Sequence, residues 1–131
     1  MARIERFEDL PIWKDALQIG VDIYRITSTG ALERDFSSRD QLRRAAISIS
    51  NNIAEGFEYN NNKMFIKYLG YAKAFAGELR SNLLVLLAAK VLLRNDVDDL
   101  QTKLLNASKN IGGFIKYLKT CEANNKLESK R

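Results

Sequence analysis

The sequence contains no histidine. That absence removes Ser-His-Asp and Cys-His catalysis. It also removes the Glu-x-x-His pairs from which a helical bundle builds a di-iron centre. A single cysteine, Cys121, cannot form an internal disulfide, and without histidine it leaves no zinc ligand set. This cysteine usage fits an intracellular, cytoplasmic protein. Proline occurs once, at Pro11, and glycine seven times in 131 residues. So few breakers predict long helices rather than a turn-rich β fold. The longest apolar run, Leu83 to Ala89, falls far short of the roughly 20 residues a membrane span needs. The opening MARIERFEDLP is charged and has no apolar core, so neither a signal peptide nor a membrane partner is expected. GxxxxGK and GxGxxG are missing, and with them any phosphate-cradling loop. Glu55 and Glu78 could act as acid and base, but nothing in the pattern brings them together. No enzyme, cofactor or metal is expected.

Charge is present and unevenly spread. The net charge is +5. Residues 1–62 carry 8 Lys+Arg against 10 Asp+Glu, whereas residues 63–131 carry 13 against 6. A basic second half suits an anionic partner such as nucleic acid. It equally suits a lysine-rich solvated surface.

Apolar spacing predicts four helices. The first covers about Leu10–Thr27, with Pro11 in its first turn and a stripe of Trp13, Leu17, Gly20/Val21 and Tyr24. The second begins at Ser37 or Ser38, either able to cap it, and buries Leu42, Ala45, Ala46, Ile49, Ile53 and Gly56. The run Asn60–Asn62 can stop one helix and cap the next. The third covers about Lys63–Leu92, roughly 45 Å, with Phe65, Leu69, Ala72, Ala76, Leu79, Leu83, Leu86 and Lys90 on its stripe. Asn95 or Asp96 can cap the fourth, whose stripe is Val97, Leu100, Leu104, Ala107, Ile111, Phe114 and Leu118. Such stripes joined by short loops bury one another in an all-α, antiparallel up-down-up-down four-helix bundle over residues 1–120. A polar, flexible tail is expected over 121–131.

The third helix has a second apolar face, which includes Ile66, Leu84 and Val91. The second helix repeats this with Ile47 and Ala54. Exposed surface of this kind marks a subunit interface, although a wide core stripe would look the same.

Three segments carry a resemblance: FEDLPIWKDA (7–16), QLRRAAISISNNIAEGF (41–57) and FIKYLGYAKAFAGELRSNLLV (65–85). The middle one is the most specific, because helix periodicity does not dictate its order of paired arginines, small residues and Asn-Ile-Ala-Glu-Gly. The chain resembles the four-helix-bundle proteins encoded within intervening sequences of bacterial 23S ribosomal RNA genes. It is also similar to the related accessory protein of diversity-generating retroelements, a basic pentameric barrel that works with a reverse transcriptase. The resemblance implies a left-handed antiparallel bundle in a ring of five. It further implies nucleic-acid association without catalysis, RNA more than DNA. In AFAGELR (74–80), Ala and Gly stand where a serine is expected.

Arg43 and Arg44 lie outside the core stripe of the second helix. They are read either as phosphate contacts or as partners of acids such as Asp40 or Glu33, or as packing across a subunit boundary. Lys109 and Lys116 share one side of the fourth helix, with Gly112 and Gly113 between them. Those glycines signal close helix packing or, alternatively, a basic stripe of low bulk that a phosphate backbone can approach. Lys63, Lys67, Lys73, Arg80 and Lys119 extend the basic surface. Tyr59, Tyr68, Tyr71 and Tyr117 can stack on bases or sit at the core boundary. Asn52 and Glu55 are expected to bond neighbouring helix ends or subunits, and Gly56 to admit a close neighbour. The reading is a non-enzymatic, homo-oligomeric nucleic-acid-binding protein. Its alternative is a scaffold that docks a polymerase or ribosomal component.

Overall fold

The computed structural model describes residues 3–129, and side-chain surroundings through residue 125. Four helices follow in order: α1 (Pro11–Thr27), α2 (Phe36–Glu58), α3 (Asn62–Ala88) and α4 (Arg94–Ser129). Each packs against the two beside it, with α1–α3 and α2–α4 on the diagonals. Short 3-10 turns at Phe7–Asp9 and Gly30–Glu33 flank α1. Among the described residues, no helix is long and apolar enough to cross a membrane.

The helix ends follow local chemistry. Asp35, not Ser37 or Ser38, caps α2: its carboxylate accepts from the Ser38 N–H at 3.2 Å. The asparagine run does two jobs. Asn60 takes a left-handed φ of 53°, and Asn61 caps α3 by accepting from the Met64 N–H at 3.1 Å. The third helix stops at Ala88, short of Leu92. Lys90 sits at φ 63°, in the place a helix-ending glycine usually takes, so it leaves the stripe. The fourth helix starts at Arg94, which puts Asp96 inside its first turn. It continues through Ser129, so the polar segment expected as a tail from residue 121 is helical that far. Lys130 and Arg131 lie outside the described residues.

The core stripes of α2, α3 and α4 fall where apolar spacing puts them. Leu42, Ile49, Ile53, Leu69, Leu79, Leu83 and Leu104 are fully buried. Helix α1 is rotated from the expected stripe. Ile12, Ala16, Ile19 and Ile23 face the core, while Leu17 (47%), Val21 (51%) and Tyr24 (42%) are exposed. Both sets recur at helical spacing, so periodicity alone could not choose between them.

The rotation also buries a charge. Asp22 is 1% exposed. Its carboxylate accepts from Lys103 Nζ on α4 at 2.6 Å and from Gln18 Nε2 at 3.0 Å, and it pairs with Arg25 at 3.2 Å. Lys103 also pairs with Asp99 at 3.2 Å. Burial pushes the Asp22 carboxyl up, but the Lys103 and Gln18 hydrogen bonds and the two cations outweigh it, leaving the group below the usual range. Hydrogen bonds to Asp22 and Asp99 raise Lys103.

Gly56 is the one helix-interior glycine whose space the fold requires. A Cβ there would lie 2.8 Å from Tyr68 Cβ and 3.0 Å from the Phe65 ring. Gly56→Ala is therefore expected to lower stability by about 1–3 kcal/mol through overpacking. Gly20→Ala, where a Cβ meets nothing within 4 Å, should raise it by up to about 1 kcal/mol. Urea unfolding of the two variants checks the contrast.

Asp22→Asn is expected to cost about 1–3 kcal/mol at neutral pH. A depressed carboxyl stabilises above its unfolded pKa, and that contribution disappears as pH falls through the folded value. Wild-type stability should thus drop below about pH 4, with a shallower drop in Asp22→Asn, as read by urea unfolding across an acid series. Lys103 acts at the other extreme. Its contribution persists below about pH 10.5 and fades as pH rises through its raised value.

Candidate nucleic-acid interface

Helices α3 and α4 run antiparallel. Phe65 packs on Phe114 with ring centroids 5.4 Å apart. Further along, Arg80 Nε donates to Gln101 Oε1 at 2.9 Å, and Gln101 Nε2 returns a hydrogen bond to the Arg80 carbonyl at 3.0 Å. This register places Lys63, Lys67 and Lys73 of α3 in the same half of the bundle as Lys109, Lys116 and Lys119 of α4. All six side chains are exposed. Lys73 also reaches across to α4, where its Cε lies 3.6 Å from the position of a Gly112 Cβ. Packing within the chain does not account for Gly113, where a Cβ would meet nothing within 4 Å. The Gly112–Gly113 turn is simply low in bulk between Lys109 and Lys116.

The three candidate arginines lie elsewhere and differ from one another. Arg43 is folded onto the end of α1 rather than pointing outward. Its guanidinium donates to Thr27 Oγ1 at 2.9 Å and Ser28 Oγ at 3.1 Å, and it stacks 4.4 Å from the Tyr24 ring centroid. Of the acids suggested for it, Asp40 pairs with Arg39 at 3.4 Å, and Glu33 meets Arg39 only through its backbone carbonyl, which accepts from Nη1 at 3.2 Å. Arg80 is tied to Gln101. Arg44 is exposed. Among the described residues, none of the nine basic candidates makes an ion pair with a carboxylate.

Tyr59, Tyr68 and Tyr71 form a cluster at the α2–α3 crossing. Tyr59 and Tyr68 have ring centroids 5.3 Å apart and hydroxyls 3.3 Å apart, and Tyr71 meets Tyr68 edge-on at 5.6 Å. The contact with the Tyr59 hydroxyl raises the Tyr68 hydroxyl, and nearby Glu55 adds to this. Tyr117 is exposed and packs edge-on against Phe114. Asn52 bonds within its own helix, donating to the Ser48 carbonyl at 2.7 Å, and not to a neighbouring helix end.

The apolar interface candidates divide. Ile47 and Leu84 are exposed, and Ala54 is half-buried. Ile66 and Val91 pack against their own core, Val91 from the loop after α3. Both are half-buried.

A feature not visible in the sequence is a polar groove between α1 and α4, about 490 Å³ in volume. Asp15, Gln18, Lys103, Asn106, Lys109 and Asn110 line it. Asn110 Nδ2 donates to Asp15 Oδ2 across it at 3.3 Å. The partners in this contact are 95 residues apart, beyond the reach of local spacing. Among the described residues, no cluster of Cys, Asp or Glu could hold a metal.

The fold recurs in a crystal structure of a protein of unknown function from the S23 ribosomal protein family of Bacteroides thetaiotaomicron. The TM-score is 0.73 at 21% identity, covering 80% of this chain and 95% of that one. No curated protein matches the chain. The sequence profile of the 23S rRNA-intervening sequence proteins matches residues 8–113, from the turn before α1 well into α4, so the chain belongs to that family.

Proposed function

We propose that the protein is a non-enzymatic homo-oligomer that binds nucleic acid, RNA in preference to DNA, through the lysine-rich half of α3 and α4. The observation that carries this reading is the gathering of six exposed lysines, none paired with a carboxylate among the described residues. Such a group repels itself in isolation and is favoured by a polyanion, whose condensed counterions are released on binding. Membership of a family described by its 23S rRNA intervening sequence favours RNA.

Glycine usage supports self-association. Gly70 and Gly77 lie on exposed α3 surface, where a Cβ would meet nothing within 4 Å. Each costs about 1 kcal/mol relative to alanine in a helix, and nothing inside the chain offsets that. A close neighbour from another copy would. The ring of five implied by the family resemblance would set several lysine clusters side by side and multiply a modest charge per chain. The second reading is a scaffold that docks a ribosomal component or a polymerase such as a reverse transcriptase. Exposed Leu84 and Val85, beside Gly77 and Ala88, favour it.

Affinity for a structured RNA is expected to fall by roughly 10³ between about 50 and 200 mM salt if the six lysines reach phosphate. Lys109→Glu with Lys116→Glu should weaken binding without changing the helical signal. Filter binding over a salt series with circular dichroism checks both. Salt-independent affinity would rule out the electrostatic reading, and a pull-down that survives nuclease would favour the scaffold.

A further inference from the structure

The outward face of α2 carries opposite charges at its two ends. Arg44, Ile47, Asn51, Ala54 and Glu58 follow one another at alternating steps of three and four residues, which keeps them on one side of a helix. Glu55 lies beside Ala54 on the same side. Except for half-buried Ala54, these side chains are exposed, and neither Arg44, Glu55 nor Glu58 makes an ion pair among the described residues. Asn51 is the midpoint, with Arg44 and Glu58 about 10 Å from it on opposite sides. Ile47 and Ala54 lie between.

The acidic end opens into a cleft of about 550 Å³ lined by Ala54, Glu55, Glu58, Tyr59 and Tyr68. Two carboxylates beside tyrosine faces suit a guanidinium, which can pair with the first and stack on the second. The chain already stacks arginines this way, Arg43 over Tyr24 at 4.4 Å and Arg39 over Phe36 at 4.6 Å. A second α2 laid antiparallel on the first brings unlike ends together: arginine meets the acidic cleft, Ile47 meets Ala54, and Asn51 meets its own copy. The parallel alternative sets like charges opposite each other. Exposed Leu17, Val21 and Tyr24 of α1 and Tyr71 of α3 add apolar surface to the bundle beyond this face.

We infer that two copies associate about a two-fold axis through Asn51, with Arg44 of each seated in the Glu55–Glu58–Tyr59 cleft of the other. The contact rests on the self-association proposed above but not on the subunit number. Because a two-fold contact is self-complementary while neighbours in a ring meet head to tail, it would join two rings rather than close one.

Two measurements on the full chain test it. Asn51→Cys in a Cys121→Ser background should form a disulfide-linked pair on mild oxidation. In sedimentation, Arg44→Glu alone, and Glu55→Arg with Glu58→Arg, should each weaken pairing by roughly ten-fold or more. The triple charge swap should restore it. An oligomer that persists through Arg44→Glu, with no disulfide-linked pair from the Asn51→Cys variant, overturns the α2 contact and leaves self-association standing. Charge reversals that the triple swap does not rescue also overturn the contact. A wild-type chain that is monomeric at high micromolar concentration overturns both.

Discussion

One buried carboxylate ties α1 to α4 across the seam that closes the bundle. These helices are the first and last in the bundle and share no loop, so only side chains hold them together. Lys103 reaches Asp22 at 2.6 Å across that seam, with Gln18 and Arg25 completing the shell. A buried carboxylate is costly without partners, so the rotation of α1 that buries Asp22 also has to present it to Lys103. That rotation turns Ile12, Ala16, Ile19 and Ile23 inward and leaves Leu17, Val21 and Tyr24 outside. Tyr24 then becomes the platform for Arg43. The surroundings of Arg43, one of the candidate phosphate contacts, thus trace back to the setting of α1.

All four helices were legible in the sequence, but the inward face was legible only for α2, α3 and α4. The first helix has two stripes, and the choice between them rests on a charge pair between positions 81 residues apart. Boundaries depart from the spacing where an unexpected residue takes a familiar role: Asp35 caps α2, and Lys90 adopts the left-handed turn that ends α3. Gly56 was legible, since it stands on the core stripe and two aromatic residues fill its space. Gly112 and Gly113 were not, because a glycine that makes room and one that merely lacks bulk look alike in a sequence.

For the candidate site, composition located the basic half of the chain but not its shape. Antiparallel register gathers Lys63, Lys67 and Lys73 with Lys109, Lys116 and Lys119, and no local pattern predicts that grouping. The paired arginines were the most conspicuous sequence feature, yet they have different surroundings. Arg43 is held by two hydroxyls and an aromatic face, while Arg44 stays exposed. Adjacent residues on a helix point about 100° apart, so adjacency in sequence is poor grounds for a shared role.

A chain of net charge +5 resists self-association through Coulomb repulsion. On the proposed function, assembly and nucleic-acid binding would therefore favour different faces. The acidic residues of the first half help provide this separation. Glu55 and Glu58 stand on α2, away from the lysine cluster of α3 and α4, and α2 carries its own counter-charge at Arg44. A contact made there brings unlike charges together without using the lysines. Those lysines would then remain on the assembled surface, where repetition across copies would strengthen the field each chain supplies. Repulsion among them would grow with every copy added, so the proposed α2 contact would have to offset it until a polyanion binds. Assembly and ligand binding are on this account coupled: a polyanion that neutralises the lysines also removes the main electrostatic penalty on association.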